Sequence, residues 1–86
     1  APRKLSYAEQ RERDKTIRRA RKKVEDAETE IARLEGVVKE IEAQLATGEA
    51  TDADIYTRHA AATKDLENAM SIWELASLEL EELQSK

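Results

Sequence analysis

Residues 17–45 read IRRARKKVEDAETEIARLEGVVKEIEAQL. Within this stretch Ile17, Ala20, Val24, Ala27, Ile31, Leu34, Val38, Ile41 and Leu45 recur at alternating steps of three and four. That spacing keeps one apolar seam on one side of a slightly underwound helix, and four repeats of it predict a coiled coil. A second seam runs through Ile55, His59, Ala62, Leu66, Ala69, Trp73, Ala76, Leu80 and Leu83 at alternating steps of four and three. Between the seams lies residues 46–54, ATGEATDAD, the one segment with loop chemistry. Gly48 suits a left-handed cap just past Leu45. Thr51 or Asp52 suits the cap of the following helix, accepting bonds from free backbone N–H groups.

Two seams of equal length joined by a short loop predict an all-α fold, an antiparallel two-helix coiled-coil hairpin. The register follows by arithmetic. Leu45 and Ile55 sum to 100, and so does each further pair down to Ile17 and Leu83. With Ile17 at heptad position a, every a then faces a d across the hairpin. Bulk faces small at several levels: Trp73 against Ala27, Leu80 against Ala20, Ile31 against Ala69. Dense interdigitation is expected from that alternation, with Trp73 as a large knob over Ala27. Ala27→Leu is then expected to clash with Trp73 and to destabilise by about 1–3 kcal/mol.

Working outward, Ser6-Tyr7-Ala8-Glu9 matches a capping box and predicts where helix one begins. The expected organisation is a single domain: an arm over 1–5, helix one over 6–46, a loop over 47–51 and helix two over 52–85. Gly36 falls at an outward f position, where it costs about 1 kcal/mol relative to Ala. By the register, residues 6–16 overhang the end of helix two. Val37, Met70, Ile72, Leu75 and Leu78 lie outside the seam. Leu75 and Leu78 sit on the outer side of helix two, and cover by Leu5 and Tyr7 folding back from the overhang is one expectation. A docking surface for another domain or a second copy is the other.

Composition agrees with a rod. Of 86 residues, 40% are charged and 3% aromatic, too few large apolar groups for a compact globule. There is no Cys, which excludes disulfides, thiolate metal sites and a cysteine nucleophile. No apolar run is long enough for a membrane span, and no basic-then-apolar start suggests a signal peptide.

The net charge of −4 hides a strong asymmetry. Residues 1–24 hold ten Lys or Arg against three acids, a surplus of seven positive charges, so the other 62 residues carry −11. Arg11, Lys15, Arg18 and Lys22 fall at b, f, b and f and Arg19 at c, positions that face away from helix two. They make one outer stripe. Lys23 at g faces Glu79 and is expected to pair with it, and Arg21 lies close enough to the acidic end of helix two to be neutralised. One reading of the stripe is a solvated face with mixed pairs such as Asp14–Arg18. The other is a phosphate-binding surface. With no aromatic residue interleaved from Arg11 to Lys22, base stacking is not expected and contacts would run through phosphate.

Catalytic and metal chemistry finds little purchase. His59 is the only His, and a zinc or di-iron centre needs several ligands at helical spacing. Gly36 and Gly48 alone cannot build a phosphate loop. The Ser and Thr residues lack a His and carboxylate set. The many glutamates have no cleft to shift their pKa. No enzymatic role and no cofactor are expected of this chain alone.

The opening Lys4-Leu5-Ser6-Tyr7-Ala8-Glu9-Gln10 resembles the start of the C-terminal coiled-coil domain of ABC-F ATPases, the Uup-like group. Trp73-Glu74-Leu75-Ala76 stands where that family's return helix often carries Trp-Glu-x-Leu, and the acidic loop before Ile55-Tyr56 is similar too. Arg11, Arg13 and Asp14 depart from the family, which often has further acidic and Leu residues there. The resemblance implies a piece of a larger cytoplasmic bacterial protein with two ATP-binding cassettes, where ATP and magnesium would bind outside this chain. It implies Leu5 and Tyr7 as packing groups and Ser6 and Glu9 as the cap. It also implies DNA binding, with ribosomal RNA as the alternative nucleic acid and the parent's cassette domains as a further partner. The expected contacts are Arg11, Lys15, Arg18, Arg19 and Lys22, with Arg3 and Lys4 assisting from the arm. The expected state is a monomer or weak dimer with no membrane partner. The competing expectation is a spacer or docking hairpin that uses Leu75, Leu78 and the acidic outer face.

Overall fold

The computed structural model describes residues 5–48 and 53–85. Helix α1 spans Tyr7–Thr47 and helix α2 spans Asp54–Gln84, packed against each other as a hairpin. The molecule measures 68 × 15 × 15 Å between Cα extremes, with a radius of gyration of 19.8 Å. A compact domain of this length would have about 12 Å, so the chain is a rod.

The ends of α1 obey their local chemistry. Ser6 is extended, and its hydroxyl oxygen accepts from the Glu9 backbone N–H at 3.2 Å while the hydroxyl donates to the Glu9 carboxylate at 3.1 Å. At the other end Gly48 takes φ 72°, and its N–H donates to the Leu45 carbonyl at 3.4 Å. An L side chain would crowd its own backbone at that φ, which is why glycine stands there. Helix α2 begins at Asp54, two residues later than expected, with Ala53 in the cap position and no side-chain cap bond. Asp54 still favours the start of the helix, because its carboxylate faces the positive end of the helix dipole. Arg58 lies one turn on, 3.8 Å from Asp54. Thr51 and Asp52 lie outside the described residues, as do Arg3 and Lys4.

The register matches the seam arithmetic. Trp73 donates its indole N–H to Glu28 at 3.2 Å, Lys23 pairs with Glu79 at 3.6 Å, and His59 approaches Glu42 at 3.9 Å. Those pairs sum to 101 and 102, within two of the seam sum of 100, as flanking positions must.

Burial divides the seam into two unequal edges. In an antiparallel pair the d positions of both helices meet on one edge and the a positions on the other. The d residues Ala20, Ala27, Leu34 and Ile41 of α1 are all buried, and so are Ile55, Ala62, Ala69 and Ala76 of α2. The a residues of both helices are only half-buried, and Trp73 is 38% exposed. Five of those eight d residues are alanine, short enough to be covered by the facing helix. The larger a side chains reach past the facing helix and stay partly exposed. At the tip, Ile41, Ile55 and Ala62 form the densest cluster, with Val37, Val38 and Leu45 against it.

This corrects the expected role of Trp73. It is not sealed over Ala27 as a core knob. It lies at the open edge with Ile31 and Met70, its N–H satisfied by Glu28. His59 is half-buried as a seam residue near the tip, and its Nε2 is shielded from solvent without a hydrogen-bond partner.

Candidate nucleic-acid interface

The register places Gln84, the last residue of α2, level with about residue 16 of α1. The first two to three turns of α1 therefore carry no partner helix. No helix–helix burial stabilises them, so capping and side-chain contacts along the helix hold them. Ser6 supplies the cap, and the Thr16 hydroxyl donates to the Glu12 carbonyl at 2.9 Å.

On this overhang and the turns just after it, Arg11, Lys15, Arg18, Arg19 and Lys22 are all exposed. Heptad phase sets them at positions b, c and f, outside the seam. Their pairing differs in a way that the sequence leaves open. Lys22 is held by Asp26, one turn on, at 3.3 Å. Lys15, Arg18 and Arg19 have no carboxylate within 4 Å among the described residues. The expected Asp14–Arg18 pair is not formed. Arg21 is not neutralised by the end of α2 either; it borders a hollow with Ile17, Arg18 and Gln84. Lys23 does pair with Glu79, but both side chains remain more than half exposed.

Tyr7 belongs to the same surface. The Arg11 guanidinium lies 5.8 Å from the Tyr7 ring centroid, and Tyr7 is 76% exposed. Tyr7, Arg11, Lys15 and Arg18 line one shallow hollow together with Ala8 and Glu12. No aromatic residue interleaves the stripe from Arg11 to Lys22, but Tyr7 borders it just beyond its N-terminal end. The signal was available: Tyr7 stands four residues before Arg11, and four residues bring side chains to one helix face.

The same exposure removes the expected cover over helix two. Leu75 is 69% exposed and Leu78 is 56% exposed. The α1 helix carries Tyr7 about 20 Å along the rod from the level of Leu78, at 1.5 Å per residue. A straight helix cannot fold back, so Tyr7 does not pack there.

The two flanks of the rod differ electrostatically. Along the closed d edge charges are paired: Lys23 with Glu79, Arg58 with Asp54, and Arg33 with Glu30. The Arg33 hydrogen bonds to Glu30 hold that carboxyl below the usual carboxylate range. The open a edge is bordered by carboxylates with few cations.

None of the described helices is long and apolar enough to cross a membrane. Compared with family models, curated proteins and solved structures, the chain matches none.

Proposed function

We propose that this chain is an accessory, non-catalytic nucleic-acid-binding coiled coil, carried at the C-terminal end of a larger cytoplasmic bacterial ATPase of the ABC-F type. The observation that supports it best is the set of exposed cations Lys15, Arg18 and Arg19, which have no carboxylate within 4 Å among the described residues, continued by Arg11. On an ordinary solvated coiled-coil face, neighbouring acids one turn away take up such charges. Left unpaired on one outer stripe, they concentrate positive potential where a phosphate backbone would lie. The resemblance of residues 4–10 and 73–76 supports the parent protein. DNA and ribosomal RNA both fit the phosphate chemistry.

Labelled duplex DNA and a structured RNA are to be titrated with the chain by anisotropy, at low and moderate salt. The log of affinity should fall against the log of salt with a slope of about −3 to −5, for four or five phosphate contacts. The triple variant Arg18→Glu, Arg19→Glu, Lys22→Glu should lose binding of both. Flat curves for the native chain at low salt would sink this reading, and the tighter of the two ligands distinguishes a DNA role from a ribosomal one.

A further inference from the structure

The open edge of the hairpin is a half-built helix interface. Ile31, Val38, Leu66 and Leu80 are left half-buried there, and Met70 and Trp73 are 47% and 38% exposed. Ile31, Met70 and Trp73 floor a hollow of about 530 Å³ between Glu28 and Glu74. Around this hollow the rims are mostly acidic. Heptad position places Glu28, Glu35 and Glu42 along α1, and Glu67, Glu74 and Glu81 along α2, with Lys39 beside Glu35 and Arg21 towards the open end. None of Glu35, Glu67, Glu74 and Glu81 has a cationic side chain within 4 Å among the described residues. Glu28 meets the Trp73 indole and Glu42 meets His59. The opposite edge, by contrast, is lined by buried alanines and carries three ion pairs, of which Lys23–Glu79 crosses between the helices.

We infer that this groove receives a basic amphipathic helix of a partner protein, an apolar heptad seam flanked by Lys or Arg, and that docking completes a three-helix coiled coil. An apolar floor selects an amphipathic helix, because i and i+3 or i+4 anchors match the knobs of two facing helices. The carboxylate rims select positive flanks and reject negative ones. A second copy is a poor occupant on the same grounds. Its matching groove would set glutamate rims against glutamate rims. Its one basic helical stretch carries most of its cations on b, c and f positions, Lys23 at g is paired with Glu79, and from Ile17 onward the seam residues beside them already face its own α2. Nucleic acid is repelled by the same rims, so this surface is separate from the basic stripe.

Trp73 is the only Trp, which makes its emission a direct report on the groove. The probe is a synthetic peptide of about four heptads with Leu or Ile at a and d and Lys at e and g. Like-charge repulsion keeps that peptide alone from associating. Two controls accompany it: the same peptide with Glu for Lys, and a scrambled Lys peptide of equal composition. The expected result is saturable binding of the Lys peptide with a blue shift of Trp73 emission, and at least about tenfold weaker binding of both controls. The double variant Met70→Lys, Glu74→Lys changes only exposed residues, and it should weaken the Lys peptide about tenfold or more with an unaltered helical spectrum. Leu75→Lys on the outer face should leave binding unchanged. The inference is overturned if the native chain gives no blue shift, or if the scrambled peptide binds as well. It is equally overturned if sedimentation finds a dimer that Met70→Lys dissociates, which would make a second copy the occupant.

Discussion

Single side chains divide the basic stripe into groups that are free to bind and groups already engaged. Arg18 has no carboxylate within 4 Å among the described residues, and Lys22 has Asp26 at 3.3 Å. Contact with phosphate requires Lys22 to leave its pair or share it, whereas Arg18 has nothing to leave. Arg18→Ala should therefore reduce the magnitude of the salt slope by about one, and Lys22→Ala by less; anisotropy titrations over a salt series measure both. In the proposed binding mode Tyr7 would add a different interaction. A base has a π-face that stacks on an exposed phenol ring irrespective of sequence, and the neighbouring Arg11 reinforces it. Tyr7→Ala should weaken single-stranded DNA or RNA by about 1–3 kcal/mol and leave duplex DNA, whose bases are already stacked, close to unchanged. Equal losses for single and double strands would remove Tyr7 from the stacking role.

Within the helices, the two glycines have opposite meanings. Gly36 sits in mid-helix facing open space, where a Cβ meets nothing within 4 Å. Its lack of a side chain serves no contact and leaves the unfolded chain more freedom to lose. Gly36→Ala should stabilise the hairpin by about 1 kcal/mol. Gly48 also has open space around it, but its φ of 72° is left-handed. Gly48→Ala should destabilise by about 1–2 kcal/mol through backbone strain alone. Thermal melts followed by helical circular dichroism test the pair, and same-sign shifts would contradict the assigned cap. Mid-helix threonines show the same local logic: Thr29 and Thr63 return their hydroxyls to the carbonyl one turn earlier, at 3.0 and 2.8 Å, where solvent partners are not needed.

At the scale of the molecule, a rod with one alanine-lined edge and one open edge makes distinct demands on stability and binding. Ala69 is buried at the middle of the closed edge. A leucine there must force the helices apart, and Ala69→Leu should destabilise by about 1–3 kcal/mol. Ala27→Leu, opposite Trp73 in the register, should destabilise by a similar amount. Met70→Leu on the open edge should change stability far less, since nothing seals that edge. Chemical denaturation of these variants separates the edges, and equal costs at Ala69 and Met70 would contradict their assignment.

Much of this molecule is readable from local pattern. The alternating three- and four-residue steps define two helices, the matching seam lengths define an antiparallel hairpin, and the constant sum of 100 defines its register. Ser6, Glu9 and Gly48 mark the ends of α1 because capping needs only groups a few residues apart. The outward positions of Arg11, Lys15, Arg18, Arg19 and Lys22 follow from heptad phase for the same reason. Depth, by contrast, was settled by packing between the helices. Heptad letters treat a and d as equivalent core, and so they predicted Trp73 as a buried knob. How deeply each edge is covered depends on side-chain volumes summed over both helices, and the alanines at d are short enough to be covered by the facing helix while Leu66 and Trp73 stay partly exposed. Which cations lose their charge to a neighbour was likewise undecided by spacing, because Asp14–Arg18 and Lys22–Asp26 share the same interval and only the second pair forms.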